Sequence, residues 1–227
     1  GQRPTQHLRN HEGVADMRDK SYVIISKTIL IILSCVLLAI GVSLFLQSAL
    51  GSDPISVLID GFRRTFHLSF GTVQLIYNLI LLFLAVLFSR KYIMIGTVAS
   101  AMITGPLMNF FDPIILALVG AQPDLQSRII MITTGQVILC FGVALNLATK
   151  FGFGALDALA VTFCEKFKLK YRNMKILLDL GHVIGGVLLG GVFGIGSILG
   201  VVAGGPFIAF FINWINGTII RWLKLNG

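Results

Sequence analysis

Charged residues are scarce in this chain. Asp, Glu, Lys and Arg make up 12% of its 227 residues, about half the share of an ordinary water-soluble domain. Hydrophobic residues make up 56%, and the mean hydropathy is +0.88. This composition excludes a globular domain that folds in water and indicates a chain whose surface faces lipid.

Cysteine and enzyme motifs are scarce as well. The three cysteines, Cys35, Cys140 and Cys164, have neither the spacing of a disulfide framework nor that of a metal site. The sequence also lacks HExxH, GxSxG, a P-loop and a strand-linked GxGxxG. We therefore expect a protein that is not an enzyme and that holds no cofactor and no metal.

Long apolar runs are what the sequence does contain. A bilayer core requires about 20 helical residues, and β-barrel strands would be shorter and alternating. The runs predict an all-α polytopic membrane protein with about six transmembrane helices, at 22–49, 70–89, 92–111, 127–149, 173–192 and 195–219.

The basic residues predict how the chain is oriented. If the N-terminus lies inside, every Lys and Arg falls on the inner side except Arg63, Arg64 and Arg128. Such a bias is typical of cytoplasmic loops, and it explains the net charge of +8 without a nucleic-acid partner. We expect both termini to be cytoplasmic, and the lipid bilayer to be the main partner.

The chain contains two copies of one unit. A shift of 101 residues superposes Gly41 on Gly142 and Gly51 on Gly152, and a shift of 100 superposes GPLMNFF (105–111) on GPFIAFF (205–211). Apolar composition alone does not keep glycines in one register. The predicted organisation is a polar N-terminal tail, in part a tag remnant or a disordered segment, followed by two membrane repeats, at 1–20, 21–113 and 122–222.

Each unit has a glycine-containing break followed by a short amphipathic helix, at 51–68 and 152–169. About 14 helical residues reach only ~21 Å, so we interpret these helices as re-entrant or interfacial. Three spans per unit then give two repeats of opposite orientation. If the short helices do cross, the chain has eight spans and a parallel duplication instead.

Several segments carry a family resemblance. They are ALGSDPISVLIDGF (49–62), LSFGT (68–72), IGT (95–97), GFGALDAL (152–159), GGVLLGGVFGIGS (185–197) and GGP (204–206). With these segments the chain resembles the YczE/YitT-type family of bacterial integral membrane proteins, in particular its YczE branch. It departs from the family pattern at Ser56, where an acid is frequent, and at Ala155, where Pro is usual. The resemblance implies a multi-pass fold in the bacterial cytoplasmic (inner) membrane.

Polar residues near the two breaks are the first site candidates, because ionisable groups are costly in a membrane. Asp53 with Pro54, and Asp157 close to Gly152, lie at equivalent breaks. Both acids are suited to capping the helix that follows. Alternatively, they line a central site and bind an ion or a proton.

Asp179 and His182 are the second pair of candidates. They share one face of the fifth span, and Asp179 corresponds to Asn78 in the first unit. A carboxylate beside an imidazole suits proton relay or gating. The alternative is that Asp179 only forms an ion pair with Lys175, four residues earlier.

A series of glycines marks the second unit. It includes Gly186, Gly190, Gly196, Gly200 and Gly204, with a spacing typical of close helix packing in membranes. We expect these glycines to pack the fifth span on the sixth, and the alternatives are a homodimer seam or a pore lined by backbone.

Inverted repeats with paired helix breaks are typical of secondary transporters. The leading hypothesis is therefore a transporter or channel for a small molecule or an ion, with Asp53, Asp157, Asp179 and His182 on the pathway. The alternative is a non-transporting membrane partner, either a solute-binding subunit or a regulator of another complex. An intramembrane enzyme would require more polar residues at one site.

Overall fold

The computed structural model describes residues 6–120, 123–151 and 154–221, without the side chains of residues 6–20 and 172. The described residues form eight α-helices and no strand: α1 (Gln6–Ser48), α2 (Pro54–Phe66), α3 (Phe70–Phe88), α4 (Ile95–Val119), α5 (Leu125–Ala148), α6 (Ala155–Phe167), α7 (Tyr171–Leu188) and α8 (Ile195–Ile215). A 3-10 turn, Arg90–Tyr92, precedes α4, and a π-helical turn, Asn216–Ile220, follows α8.

Several helices are suited to crossing a membrane. Within the described ranges, five segments are long and apolar enough: Ser21–Ser48, Phe70–Phe88, Ile95–Val119, Leu125–Ala148 and Ile195–Ile220. Large apolar side chains on these helices point outward, among them Phe83 at 64% exposure and Leu118 at 80%. Such surfaces are stable against lipid and costly in water. The fold is that of a multi-pass helical membrane protein.

Two segments differ from the sequence-based expectation. The predicted span at 173–192 corresponds to α7, whose 18 residues include three charged ones in sequence, so composition alone does not identify it as a crossing helix. The N-terminal tail also differs, because α1 begins at Gln6, well before the apolar run. Good helix-forming residues ahead of a span allow the helix to continue beyond it.

The two short helices begin and end in corresponding ways. The residues that stop α1 and α5 have positive φ angles, 53° at Ala49 and 49° at Lys150, as do those that stop α2 and α6, 55° at His67 and 54° at Lys168. Left-handed residues are uncommon outside glycine. Here they recur at a spacing of 101 residues, in agreement with the register of the sequence comparison.

The helix contacts define two groups, which are joined where α3 packs on α4. In the first, α1 packs on α5, α1 also packs on α4, and α5 packs on α8. In the second, α2 packs on α7 and α3, and α6 packs on α3 and α7. Each short helix therefore contacts the third helix of the other unit.

The breaks are joined to the opposite unit by reciprocal hydrogen bonds. The Gly96 N–H donates to the Phe151 carbonyl over 3.1 Å, and the Gly196 N–H donates to the Leu50 carbonyl over 2.9 Å. Reciprocal contacts of this kind are typical of an interface around a two-fold axis.

Side-chain contacts give the directions of the long helices. Asn146 Nδ2 donates to Ser34 Oγ over 3.1 Å, while Phe45, later in α1, approaches Gly135, earlier in α5. Helices α1 and α5 are thus antiparallel.

By contrast, α4 runs in the same direction as α1. Ile31 contacts Gly96 at the start of α4, and further along both helices Gln47 Nε2 donates to Asp112 Oδ1 over 2.8 Å. The same holds for α5 and α8, where Ile132 approaches Gly196 and Phe141 packs on Phe211.

The glycines of the second unit do not make the contacts that their spacing predicts. A Cβ at Gly186 would lie 2.5 Å from the Val57 carbonyl oxygen of α2, and one at Gly196 would lie 2.4 Å from the Gly51 carbonyl oxygen. Gly200 faces Asp53, and Gly204 faces Gln136 of α5. These close approaches run to the first unit and to α5, rather than from α7 to α8, because α2 occupies the space beside α7.

Candidate functional site

A tyrosine–histidine pair lies at the centre of the second helix group. Tyr77 of α3 and His182 of α7 are joined by a hydrogen bond of 2.6 Å between Oη and Nε2, and their rings meet edge to face at 5.9 Å. His182 is buried, at 8% exposure. Its other ring nitrogen, Nδ1, lies 2.5 Å from the Leu178 carbonyl oxygen.

Three carboxylates lie within electrostatic range of Tyr77. Those of Asp53, Asp157 and Asp179 all interact electrostatically with the Tyr77 phenol. They come from three different helices or helix ends: the start of α2, the first turn of α6 and the middle of α7. We refer to these five residues as the Tyr77 cluster. Four of them are site candidates from the sequence, and all four interact with Tyr77, His182 by a hydrogen bond and the three carboxylates electrostatically.

Asp53 both caps a helix and belongs to the cluster. Its Oδ2 accepts the Ser56 N–H over 3.3 Å, and its Oδ1 accepts from Ser52 Oγ over 3.2 Å. Pro54 occupies the first turn of α2 and is buried, a position where its missing N–H costs nothing. Capping and participation in the cluster are therefore compatible for this residue.

Asp157 and Asp179 have different partners. Tyr171 Oη donates to Asp157 Oδ1 over 2.9 Å, and Asp157 lies inside the first turn of α6 rather than at its cap. Lys175 Nζ donates to Asp179 Oδ1 over 2.8 Å, which is the local ion pair considered from the sequence. His182 bonds to Tyr77 and Leu178.

Of the two remaining sequence candidates, Asn78 lies apart from these contacts. Asn78 accepts from Gln74 Nε2 over 3.1 Å and donates to the Ala101 carbonyl over 3.3 Å, which links α3 to α4. Gly152 lies outside the described residues. Tyr77 itself was missed by sequence reasoning. Its signal is a hydroxyl in an otherwise apolar helix, and only the fold identifies its partner.

Asp60 is a further residue that the sequence did not single out. Its side chain is 5% exposed, and its Oδ2 accepts the Val192 N–H over 3.1 Å. Arg63 and Arg64 pair with it at 2.9 and 2.8 Å. This Asp60 contact fastens α2 to the connection between α7 and α8. The spacing of the two arginines from Asp60 predicts these ion pairs from the sequence. No local pattern predicts the hydrogen bond from the Val192 N–H.

The second unit has its own contact at the corresponding place. Lys91 Nζ donates to Glu165 Oε2 over 2.5 Å, and Tyr92 Oη donates to Glu165 Oε1. This Glu165 contact fastens the end of α6 to the connection between α3 and α4. Unlike Asp60, the Glu165 side chain is half exposed.

A small pocket opens beside the first break. It is lined by the end of α1, the break itself, α2 and Val192, and the polar groups in its wall belong to Ser52, Ser56, Asp60 and Arg64. Its volume for water-sized occupants is about 20 Å³, enough for one or two water molecules or an ion. Among the described residues, no group of three His, Cys, Asp or Glu side chains could hold a metal ion.

The apolar helices and their outward-facing apolar surfaces define the chain as an integral, multi-pass membrane protein. It belongs to the family of unknown function DUF6198, whose model matches residues 25–213. An uncharacterized protein of Haemophilus influenzae is 30% identical to it over 83% of this chain and 85% of its own length.

Two proteins of Bacillus subtilis are also similar. The uncharacterized protein YyaS is 28% identical over 78% of this chain and 87% of its own length. The uncharacterized membrane protein YczE is 26% identical over 77% of this chain and 80% of its own length. The resemblance to the YczE branch that the sequence segments indicate is thereby confirmed. No solved structure matches the chain.

Proposed function

We propose that this protein is a transporter or channel for a small solute, and that the Tyr77 cluster lies on its pathway. The observation that carries the proposal is that Asp53, Asp157 and Asp179 all interact electrostatically with Tyr77, which is hydrogen-bonded to the buried His182. Intramembrane ionisable groups are costly and mark substrate or ion pathways. The cluster also joins the starts of both short helices, where transporters with broken helices bind their substrates.

We further propose that the two units are inverted repeats with three crossings each. The antiparallel α1 and α5 support this arrangement, since an even number of crossings per unit would make these helices parallel. The parallel α1 and α4 support it too, because α3 must then be the only crossing between them. On this proposal α7 is the fifth of six spans, and the short helices do not cross.

A topology map tests this arrangement. In a variant without native cysteines, single cysteines replace Arg63, Arg64, Arg90 and Lys91 in turn, and an impermeant maleimide is applied to intact cells. We expect labelling at 63 and 64 and protection at 90 and 91. Labelling of 90 and 91 from outside would require a different number of crossings.

We place the protein in the bacterial cytoplasmic membrane with both termini inside. The bacterial origin of the three relatives supports the membrane. We infer the orientation from the basic residues at the end of α6 and before α7, which are Lys166, Lys168 and Lys170. The Glu165 contact joins this segment to Lys91, so these four residues lie on the same side of the membrane. Such residues concentrate on the cytoplasmic side.

A non-transporting partner of another membrane complex is the second candidate. The small pocket favours it, because about 20 Å³ is far less than the several hundred Å³ of a typical ligand site. On this proposal a second protein, or a second copy of the chain, co-purifies stably, and changes in the Tyr77 cluster leave that association intact. We do not propose an enzyme, a cofactor or a nucleic-acid partner.

A flux assay decides between the two candidates. The full chain is reconstituted into liposomes, which are incubated with a mixture of amino acids, sugars, amines, nucleobases and inorganic ions. Trapped solutes are then identified by mass spectrometry. We expect at least one solute to accumulate, and its accumulation to be lost in Asp157→Asn and Asp179→Asn at normal expression.

Asp124→Asn is the matched control. Asp124 accepts from Ser127 ahead of α5 and lies outside the Tyr77 cluster, so the flux should remain at the wild-type level. If both cluster variants carried the solute at full rate, the assigned pathway would be wrong. If the wild type carried nothing and a second protein co-purified, the partner role would replace transport.

A further inference from the structure

The contacts of His182 define which of its nitrogens carries the proton. A backbone carbonyl oxygen can only accept a hydrogen bond, so Nδ1 must donate to the Leu178 oxygen that lies 2.5 Å away. In a neutral imidazole the other nitrogen is then an acceptor. Nε2 therefore accepts from the Tyr77 hydroxyl, at 2.6 Å.

A second proton on His182 has one place to go. It binds Nε2, and the imidazolium N–H then donates to Tyr77 Oη, so the tyrosine changes from donor to acceptor. The Leu178 carbonyl cannot take a proton onward from Nδ1. His182 is thus suited to store a proton, and Tyr77 is the group through which that proton arrives and leaves.

Charged groups near this pair come from three helices. Asp53 lies at the start of α2, Asp157 on α6, and Asp179 with Lys175 on α7 itself. Three carboxylates and one ammonium give a net charge of −2 when His182 is neutral. An imidazolium changes that charge to −1, which alters the affinity of the cluster for any charged solute.

We propose that His182 is the proton-binding residue of the Tyr77 cluster, that Tyr77 delivers its proton, and that solute movement is coupled to this protonation. The coupling rests on the proposed transport function. A proton on a neighbouring carboxylic acid passes through water to Tyr77 Oη, while the Tyr77 hydroxyl proton passes to Nε2. The carboxylate is regenerated, the ring becomes imidazolium, and release follows the same route in reverse.

Spectroscopy of the full chain in lipid nanodiscs tests the proton site without a known solute. The protein is labelled with ¹⁵N-histidine, and the His182 signals are identified by their loss in His182→Gln. At about pH 9 we expect a proton on Nδ1 and none on Nε2, and at about pH 5 a proton on both. Infrared spectra of ring-labelled tyrosine should show one C–O band moving from donor to acceptor position over the same range.

The variants separate proton delivery from a merely structural role. The moving C–O band should vanish in Tyr77→Phe and also in His182→Gln, where Tyr77 is still present but has lost its imidazole partner. It should persist in Tyr22→Phe, an exposed residue of α1, and in His67→Asn, at the exposed end of α2.

The proposal would be overturned by a His182 that stays neutral across this range in the folded protein, or by a neutral ring with its proton on Nε2. A tyrosine band that moves without His182 would do the same. A correct titration in a protein that carries no solute would remove the transport function and leave the proton site standing. Solute flux that does not change in His182→Gln would remove the coupling alone.

Discussion

The two short helices hold equivalent positions, yet different forces fasten them. Helix α2 is held by the Asp60 contact, in which a buried carboxylate accepts the Val192 N–H. Helix α6 is held by the Glu165 contact, in which a half-exposed carboxylate accepts from Lys91. Exposed ion pairs are weak and screened by salt, whereas buried hydrogen bonds are not. The contact that holds α2 is therefore stronger than the contact that holds α6.

The backbone is closely packed around the first break. At the first break, a Cβ on Gly51 would lie 2.5 Å from the Gly194 nitrogen, and one on Gly191 would lie 2.3 Å from the Val57 carbonyl oxygen. The chain approaches itself there without intervening side chains. If the protein alternates between two open states, the end with the Glu165 contact is the one that opens at lower cost.

The largest effect is expected for Gly51→Ala. Gly51 has a φ of 95°, so alanine is strained there by about 1–2 kcal/mol. The clash with Gly194 adds roughly 1–3 kcal/mol. We expect the free energy of unfolding in detergent to fall by about 3 kcal/mol in all, as measured by denaturant titration.

Gly190→Ala is the matched control for that substitution. Gly190 has a similar φ of 84°, but a Cβ there would meet no heavy atom of the described residues within 4 Å. Only the conformational strain remains, so the loss should be about 1 kcal/mol. Equal losses at the two positions would mean that the close approach at the first break contributes nothing.

The residues near the breaks show which features of the fold and site can be predicted from the sequence. The helix order and the corresponding breaks follow from apolar run lengths and glycine register, which are local properties of the chain. Asp53, Asp157, Asp179 and His182 stand out because charge is rare in apolar segments. Their meeting at Tyr77 depends on α2 packing across α7 and α6 across α3, and no local pattern encodes those long-range contacts.

Long-range contacts also explain why the packing partner of α7 and the burial of Asp60 could not be predicted from the sequence. The glycine spacing of α7 indicates close packing but not its partner, which is α2 because Gly186 meets the backbone at Val57. Asp60 looks like an ordinary exposed acid on an amphipathic helix. Its burial and its bond to Val192 depend on a connection 132 residues away in the sequence.

The second largest effect is expected for Asp60→Ala. This change leaves the Val192 N–H without its acceptor and removes the carboxylate that Arg63 and Arg64 share. Because those arginines are 32% and 47% exposed, their charges are largely screened. The lost hydrogen bond should therefore dominate, at about 2 kcal/mol of the free energy of unfolding, measured in the same titration.

Asp60→Asn sharpens that measurement. Asparagine keeps an oxygen that can accept the Val192 N–H but carries no charge, so we expect the loss to be about half as large. If Asn and Ala were equally destabilising, the ion pairs rather than the bond to Val192 would hold α2, and the contrast with the Glu165 contact would disappear.

The smallest effect on stability is expected for Glu165→Gln, yet it should change the opening of α6. Cys164 lies next to Glu165 and is partly exposed, whereas Cys35 and Cys140 are buried, so maleimide reports on this helix. We expect Cys164 labelling to speed up severalfold in Glu165→Gln, and in the wild type at about 1 M salt. Lys166→Gln, a neighbouring charge change outside the contact, should leave the rate unaltered.

The pH dependence of the same labelling has a defined sign. Hydrogen bonds from Lys91 and then Tyr92 lower the pKa of Glu165, and the Glu165 partner raises the pKa of Lys91. A carboxyl whose pKa is lowered in the folded state stabilises the contact above its ordinary pKa and loses that effect as the pH falls through the folded value. Between about pH 6 and 8 the contact therefore stays ionised, and its contribution to the labelling rate should be constant.

A labelling rate that is equally insensitive to salt and to Glu165→Gln would show that α6 is fastened as firmly as α2, and the proposed difference between the two ends would be lost.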